Sequence, residues 1–440
     1  MSKTYWSYKA NLKFVHRMRD PIYGFIPLTQ LEMDIIDTPI FQRLRRVHQL
    51  ALTKYVYPSA EHSRFVHSIG VMHCASLIYE GIFNHKDTVA YMEPNEKKLQ
   101  TLRLAALLHD IGHLPFSHAA EEQLLPPGFG HEDLSGYIIT EHNQISDSIK
   151  KYGCDPKLVA MLLTKMPTYD FKLEHDIISG NLDADRADYL LRDSRMCGVC
   201  YGEYDFARFL HMFAAIMDTN RHYKLFVGES DLWQAESLLI ARYHYNLQVP
   251  YHRTRSGFDI ALRQFIKSVD NEVGFIETDG NFIKSMDFDK FINYDDYSIM
   301  EKAKTSSNCW ADYILRKNHL RVLLDTTSHI DNSAENFAGM VARLNEAGLT
   351  AEEDYFIQQQ AVPVLKGAVN QLEEPEDTLS STPPYGSIYL LSKNETNPVD
   401  ICDRSWIFKQ FTEKPLNIYR IYVTIQKREI AQRAMGSNQS

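Results

Sequence analysis

The chain has 440 residues, a formal net charge of -10, 44% hydrophobic residues and 24% charged residues. This length favours two lobes over one simple core, and the acidic balance argues against a protein that is wrapped in nucleic acid. No apolar run in the sequence approaches the ~20 residues that span a bilayer, and the N-terminal residues lack the apolar stretch of a signal peptide. We therefore expect a cytoplasmic protein with no membrane and no stable nucleic-acid partner.

Helical patterns dominate the first 300 residues. Thr38 and Pro39 are typical of a helix start, and residues 102–111 are apolar nearly all round, as in a central buried helix. We expect helix rather than strand throughout this part. In chain order, the predicted helices cover 35–50, 67–83, 102–111, a segment capped by Ser117 that includes His118 and Glu121, 131–141, 158–164, 183–192 and 232–248.

The pattern changes after about residue 325. Residues 335–347 predict a helix, whereas residues 386–391 and 417–424 alternate with period two and predict strands. Residues 372–385 are rich in acids, Thr, Ser and Pro, and they predict an exposed loop.

The two parts predict a mainly α fold with a helical lobe at residues 1–325 and a small α+β lobe at residues 326–440. The second lobe carries no recognisable chemistry, and we expect it to support contacts between subunits. Cys197 and Cys200 form one CxxC pair without a second pair, so a structural zinc site is incomplete. Free thiols are expected rather than a disulfide framework.

His109 and Asp110 lie side by side at the end of the apolar helix predicted at 102–111. Burying both is costly unless each gains a strong partner, and a divalent cation is such a partner. His67 and Asp185, from two other segments, complete a mixed nitrogen and oxygen set that suits Mn, Mg, Fe or Zn without choosing among them. A lone histidine is more often a hydrogen-bonded core residue, but three separated segments that each supply a ligand favour a metal site.

Further titratable side chains accompany this set. His113 would share a helix face with His109 if the helix continued that far, and His131 with Glu132 forms another pair, for which ordinary surface chemistry is the alternative. An imidazole near a cation can donate a proton to a leaving oxygen, and arginines can neutralise phosphate charge. These residue types predict a metal-dependent phosphohydrolase and leave its substrate open.

The order His67, His109-Asp110, Asp185 resembles the H…HD…D signature of the HD-domain superfamily. The surrounding sequence is similar to the deoxynucleoside triphosphate (dNTP) triphosphohydrolases within it, which include bacterial dGTPase-like enzymes and the vertebrate SAM-and-HD-domain enzyme. The supporting runs lie in order between residue 15 and about residue 325; they are 36–50, 60–71, 109–118, 131–132 and 182–193.

The resemblance implies an HD-domain helical catalytic lobe that cleaves a dNTP into deoxynucleoside and triphosphate. It implies that the divalent metal is bound by His67, His109, Asp110 and Asp185. It implies catalytic roles for His118, Glu121, His113, His131 and Glu132, with His118 beside the α-phosphate and Glu121 as its partner. It implies substrate contacts by Arg64, Gln49, Leu50, Asp183, Arg186, Tyr189 and Asp193, of which Gln49, Leu50 and Asp193 sense the sugar.

The resemblance also implies a homo-oligomer, dimer or tetramer, that is switched on by GTP or dGTP bound between subunits. The matching effector residues are Asp37, Gln42, Arg45 and Arg208. Departures from the family pattern occur at His16, Arg19, Glu229, Asp231 and Pro250. Two alternatives stay open: an HD phosphohydrolase that acts on another nucleotide, a nucleoside monophosphate or a phosphodiester, and a non-catalytic nucleotide-binding scaffold.

Overall fold

A computed structural model describes most of the chain, and helices dominate it, which confirms the mainly α fold class. The described residues are 11–85, 88, 94–126, 128–163, 169–217, 223–269, 274–280, 282–315, 319–330, 332–362, 364–365, 388–391, 399–413 and 416–436. The loop predicted at 372–385 lies outside them. Within these ranges, none of the helices combines the length and the apolar character that a membrane crossing requires.

Helices His131–Glu141 and Leu232–Gln248 have the bounds predicted from the sequence. In chain order the α-helices are Gln30–Ile36, Pro39–Gln42, Arg64–Asn84, Glu96–Leu108, Glu121–Leu124, His131–Glu141, Asn143–Lys151, Pro156–Met161, Lys172–Ser179, Ala184–Cys197, Phe206–His211, Leu232–Gln248, Arg253–Val269, Phe288–Ile292, Asp296–Thr305, Cys309–Leu315, Ser333–Glu346, Trp406–Glu413 and Arg428–Ala434. The short 3-10 helices are Arg43–Arg46, Ala51–Tyr55, Ser117–Ala119, Tyr169–Phe171, Glu229–Asp231, Ile401–Asp403 and Ile425–Lys427.

The expectation of helix throughout the first 300 residues is wrong at three antiparallel strand pairs. These pairs are Phe14–Asp20 with Gly24–Thr29, Phe213–Met217 with Tyr223–Gly228, and Ile276–Asp279 with Phe282–Met286. In the first pair, the Asp20 carboxylate accepts the backbone N–H groups of Ile22 and Tyr23 at 2.8 and 3.0 Å and so closes the turn. Such turn chemistry is local, and a search for helical periodicity passes over it.

The C-terminal part contains the predicted helix and strands, with observed bounds Ser333–Glu346, Tyr389–Leu391 and Asn417–Val423. Strand Asn417–Val423 lies between Arg321–Thr327 and Tyr355–Ala361 in an antiparallel sheet. The division predicted at residue 325 therefore falls inside a strand. Tyr389–Leu391 also pairs in parallel with Tyr223–Gly228, so the two predicted lobes share a sheet.

The Arg64–Asn84 helix is buried over most of its length and packs against Glu96–Leu108 and Ala184–Cys197. Gly70 permits the close approach to the second partner, because a Cβ atom there would lie 2.1 Å from Asp188 Oδ1 and 2.2 Å from Arg192 Nη2. This crossing places the ligand-type side chains of all three helices near one another.

Two of the predicted helices that lead into the site end earlier than expected. The 35–50 helix is replaced by Pro39–Gln42, which Thr38 caps, and the 3-10 helix Arg43–Arg46. The 102–111 helix begins at Glu96 and ends at Leu108, because Ser135 Oγ donates to His109 O at 2.7 Å and accepts Gly112 N–H at 3.0 Å, in place of continued helical bonds. His113 therefore lies in a turn, and its predicted helical spacing from His109 does not apply.

Candidate active site

The four predicted metal ligands converge from separate segments. His67 Nε2 lies 3.0 Å from Asp185 Oδ1 and 3.6 Å from Asp110 Oδ2. His109 Nε2 lies 3.2 Å from Asp110 Oδ1 and 3.8 Å from Asp185 Oδ1. The structure therefore brings two imidazole nitrogens and two carboxylates to one point.

The Nδ1 atom of each of the two imidazole rings has its own partner, which orients the ring with Nε2 toward the carboxylates of Asp110 and Asp185. The Nδ1 atom of His109 lies 2.8 Å from Ala106 O, so Nδ1 carries the proton and Nε2 is left to accept or coordinate. His67 Nδ1 lies 2.8 Å from Asp188 Oδ2, and Asp188 is held by two bonds from Arg192 at 2.8 and 2.9 Å. Carboxylate and carbonyl partners of this kind orient metal-ligating histidines.

This donor set could hold a divalent cation. Ligand atoms of His67, His109 and Asp110 all lie within 4.8 Å of one another. His109 Nε2 is buried and has no hydrogen-bond partner among the described residues, which is costly unless another group satisfies it. Mixed imidazole and carboxylate ligands suit several divalent metals.

The charges around the four candidate ligands favour the replacement of a bound proton by a cation. Burial opposes a charge on His67, but hydrogen bonds to Asp185 and Asp188 outweigh it and raise the pKa of His67 to about 10. Burial also opposes ionisation of Asp110, yet the charge of Arg64 and the neighbouring histidines hold the pKa of this carboxyl well below its usual range. In the metal-free protein the cluster thus carries a proton on His67 at neutral pH.

Metal binding is therefore expected to release about one proton per cation, because a coordinating imidazole is neutral. With a pKa of about 10, His67 stays protonated through neutrality, so apparent affinity should rise about tenfold per pH unit between pH 6 and 8. Titration calorimetry with Mn²⁺ in two buffers of different protonation enthalpy measures the release directly. Binding heats that do not depend on the buffer would contradict a protonated His67.

Replacing Asp188 with asparagine is expected to weaken metal binding by roughly 10- to 100-fold, because His67 loses its orienting carboxylate. The matched control is Asp20→Asn, since Asp20 contacts the other side of the same arginine, Arg192 Nη1, at 2.8 Å, whereas the Nδ1 of His67 bonds to Asp188. Mn²⁺ titration of both variants is the measurement. Equal affinities of the two variants would argue against the orienting role.

A second cluster joins three histidines around Glu121. Glu121 Oε2 lies 2.8 Å from His118 Nδ1, and Oε1 lies 2.9 Å from His131 Nδ1. The His113 and His131 rings are stacked with centroids 3.7 Å apart and planes at 13°. Burial opposes ionisation of Glu121, but these histidines lower its carboxyl pKa; burial together with Arg64 lowers the pKa of His113.

Ring nitrogens of His113, His118 and His131 also lie within 4.8 Å of one another. The ring lone pairs lie in the ring planes, so the lone pairs of His113 and His131 lie in two nearly parallel planes, which disfavours their meeting at one ion. His118 and His131 also bond through Nδ1 to Glu121, which orients the rings and leaves Nε2 for another partner. This arrangement fits proton donors beside a metal site better than it fits a second metal site.

Both clusters border one cavity of about 580 Å³. This volume lies within the range of small-molecule sites. The predicted site residues that line it are Gln49, Leu50, Arg64, His109, Asp110, His113, His118, His131, Glu132, Asp185, Tyr189 and Asp193. His67 and Glu121 are not among its lining residues; they contact Asp110, Asp185 and the histidines that are.

Arginine side chains bring positive charge to this cavity. Arg64 donates through Nε to Ser117 Oγ at 2.6 Å and pairs through Nη1 with Asp110. Arg242 is buried, and within the described ranges its Nε and Nη1 have no hydrogen-bond partner; burial and the nearby Arg186 lower its pKa to about 10. Sequence reasoning missed Arg242, because it lies inside a helix without a motif.

The predicted sugar-sensing residues lie on the cavity wall. Both Asp193 oxygens are engaged, one by His62 Nε2 at 2.7 Å and the other by the hydroxyl of Tyr245. Gln49 Oε1 is buried and unpartnered among the residues that the structure describes. Leu50 is a buried apolar neighbour.

Two predicted substrate residues are engaged elsewhere. Asp183 caps its helix by accepting Arg186 N–H at 2.9 Å, and its carboxylate pairs with the Arg186 guanidinium. Arg186 Nη1 also donates to Gly180 O at 2.7 Å, and neither side chain is among the described residues that line the cavity.

The predicted effector residues also lie outside the cavity lining, within the described part of the chain. Asp37 and Arg45 are exposed, and Arg45 donates to Gln42 Oε1 at 2.7 Å and packs over the Phe65 ring. Arg208 is exposed, 3.5 Å from Asp231.

The chain is similar to several known proteins. The chain is 33% identical over 344 residues to an uncharacterized protein of Methanocaldococcus jannaschii, with 78% of this chain and 66% of that protein covered. It is 29% identical over 437 residues to a deoxynucleoside triphosphate triphosphohydrolase SAMHD1 homolog of Dictyostelium discoideum, with 91% and 76% covered. A crystal structure of a hypothetical protein from Aquifex aeolicus matches with a TM-score of 0.76 and 29% identity, over 96% of this chain and 99% of that one.

The chain spans roughly half to two thirds of the length of several curated relatives that it matches, with shares of 66%, 54% and 54%. The family model of the HD domain matches residues 64–193. This range begins at Arg64, ends at Asp193 and contains all four candidate ligands. Residues 64–193 of the chain therefore form an HD domain.

Proposed function

We propose that the protein is a metal-dependent phosphohydrolase that cleaves a dNTP between the α-phosphate and the 5′ oxygen, with deoxynucleoside and triphosphate as products. The observation that carries the proposal is the meeting of two clusters at one cavity. A metal-type set of two histidines and two carboxylates borders it, and a histidine cluster held by Glu121 stands beside that set. A scaffold that only binds nucleotides has no use for this second cluster.

A divalent cation bound by His67, His109, Asp110 and Asp185 would supply Lewis acidity toward a phosphoryl oxygen and toward water. His118 is bonded through Nδ1 to Glu121, which leaves Nε2 to donate a proton to the leaving 5′ oxygen.

Arg64 and Arg242 carry fixed positive charge where phosphates would lie. Because Arg242 is buried with unpartnered nitrogens within the described residues, an anionic ligand would satisfy it. A neutral substrate would leave the burial of these Arg242 nitrogens uncompensated.

The proposal includes selection of deoxyribose. Gln49 Oε1 is an available acceptor for a 3′-hydroxyl, and the carboxylate of Asp193 keeps lone pairs beyond its two bonds. Leu50 offers no polar partner to a 2′-hydroxyl, whose desolvation would then be uncompensated. The preferred base is left open.

The proposal also includes a homo-oligomer activated by GTP or dGTP, with Asp37, Gln42, Arg45 and Arg208 as effector contacts. Its support is the family resemblance and the separation of these residues from the cavity. Added GTP should raise the rate of dATP hydrolysis by the oligomer. If no added nucleotide changes this rate, the effector part of the proposal is wrong.

Product analysis separates the proposal from the alternatives. Each dNTP is incubated with the protein and Mn²⁺, Mg²⁺, Fe²⁺ or Zn²⁺, and the phosphate products are resolved by ion exchange. Equimolar deoxynucleoside and tripolyphosphate are expected. Pyrophosphate or orthophosphate would favour an HD phosphohydrolase of different specificity, and no metal-dependent product would favour the binding scaffold.

A further inference from the structure

The turn that carries His113 and His118 of the second cluster has a disfavoured backbone. Phe116 and Ser117 have φ values of 58° and 51°, in the left-handed region where a Cβ atom clashes with its own backbone. Such a conformation persists only when surrounding contacts hold it. In this turn it places Ser117 Oγ against Arg64 Nε and His118 against Glu121.

The contact that holds this turn comes from a residue 180 positions further along the chain. Asp296, with 2% of its surface exposed, accepts the Phe116 backbone N–H through Oδ1 at 2.7 Å. Its other oxygen, Oδ2, accepts the backbone N–H of His48 at 2.9 Å and lies 2.6 Å from His48 Nδ1. Asp296 thus ties the turn to the segment that leads into Gln49.

A second anchor fixes the other end of the turn. The buried Arg43 donates through Nη1 to His113 O at 2.8 Å and through Nε to Tyr294 O at 2.8 Å. Both anchors reach the same short segment, residues 294–296. The turn 113–118 is therefore clamped at its start and at its strained centre.

We propose that Asp296 is a positioning residue of the active site: its carboxylate holds the 113–118 turn in the left-handed conformation that sets His118 beside the metal ligands. Asp296 is not among the described residues that line the cavity, so it acts through the turn. The consequence for catalysis rests on the proposed function, whereas the consequence for the turn does not.

Asp296→Ala removes both acceptors. We expect dNTP turnover to fall by about 100-fold, the magnitude of a lost general acid, with Mn²⁺ affinity within about twofold of wild type. Asp296→Asn should be intermediate, because its amide oxygen can accept Phe116 N–H while its NH₂ group faces His48 N–H. The exposed Asp289→Asn is the control for loss of a nearby carboxylate.

Two activity readouts distinguish positioning from general destabilisation. His118→Ala combined with Asp296→Ala should be no slower than His118→Ala alone, because residues that act as a unit are not additive. Bis(4-nitrophenyl) phosphate releases 4-nitrophenolate, which leaves without a proton, so Asp296→Ala should reduce its hydrolysis far less than dNTP hydrolysis. Additive losses, or equal losses on both substrates, would overturn the inference.

A crystal structure of Asp296→Ala, or of Asp296→Leu should the alanine variant fail to fold, tests the turn without any activity, because neither side chain can accept the Phe116 N–H. Phe116 is expected to leave the left-handed region and His118 to lose its bond to Glu121. A turn that keeps its conformation would overturn the inference, even in a protein that hydrolyses no dNTP. If the wild type hydrolyses no dNTP and the turn is displaced in the variant, the proposed function is wrong and the inference about the turn stands.

Discussion

Asp185→Ala is expected to abolish tight metal binding and to lower turnover by roughly 10³-fold or more, since a cation supplies several kcal/mol of transition-state stabilisation. The Asp185 side chain is 34% exposed, and its ion-pair contacts among the described residues are to His67 and His109. Its removal therefore leaves no buried arginine without a partner, and the fold should persist. Mn²⁺ titration, thermal unfolding and turnover are measured on the same preparation.

Asp110→Ala should cause the same loss of activity and a large loss of stability besides. Asp110 pairs with the buried Arg64, and removing one partner of a buried ion pair costs about 3–5 kcal/mol. Comparing the two variants separates the metal role from the folding role. Glu203→Ala, at an exposed position beyond the Asp185 helix, is the control for carboxylate loss. Metal-dependent turnover near the wild-type rate in Asp185→Ala would contradict the ligand assignment.

His118→Ala is expected to keep its metal and to lose roughly 10²-fold or more in turnover, the usual contribution of a general acid. The side chain is 66% exposed, so its truncation should leave thermal unfolding unchanged. The bond of His118 Nδ1 to Glu121 is the feature that assigns this role to His118.

The control is His244→Ala, an exposed histidine on the Leu232–Gln248 helix. If His118→Ala turns over dNTP at the wild-type rate, the proton donor is not His118, and the assignment passes to His131 or His113. A variant that loses metal together with activity would instead make His118 a ligand.

The sequence allowed the convergence of the four candidate ligands to be predicted because each belongs to a short local pattern. His109-Asp110 follows an apolar helix, His67 lies in the first turn of another, and Asp185 lies in the first turn of a third. Helical packing then brings these positions together. The long periodic segments also gave two helices with the correct bounds, His131–Glu141 and Leu232–Gln248.

Supporting residues were missed because their roles arise from contacts between distant segments. Asp296 meets Phe116 across 180 positions, and Arg242 faces the cavity from the middle of a helix. Asp188 had a signal that could have been used: it follows Asp185 by three positions and so shares its helix face. The short strand pair near the N-terminus depends on a turn closed by Asp20, which helical periodicity does not detect.

The measurement that tests the central claim most directly is a crystal structure of the protein with Mn²⁺, with data collected at the Mn absorption edge. One anomalous peak is expected, within coordination distance of Nε2 of His67 and His109 and of carboxylate oxygens of Asp110 and Asp185. A peak among His113, His118 and His131 instead, or no peak at the four ligands under saturating Mn²⁺, would contradict the account.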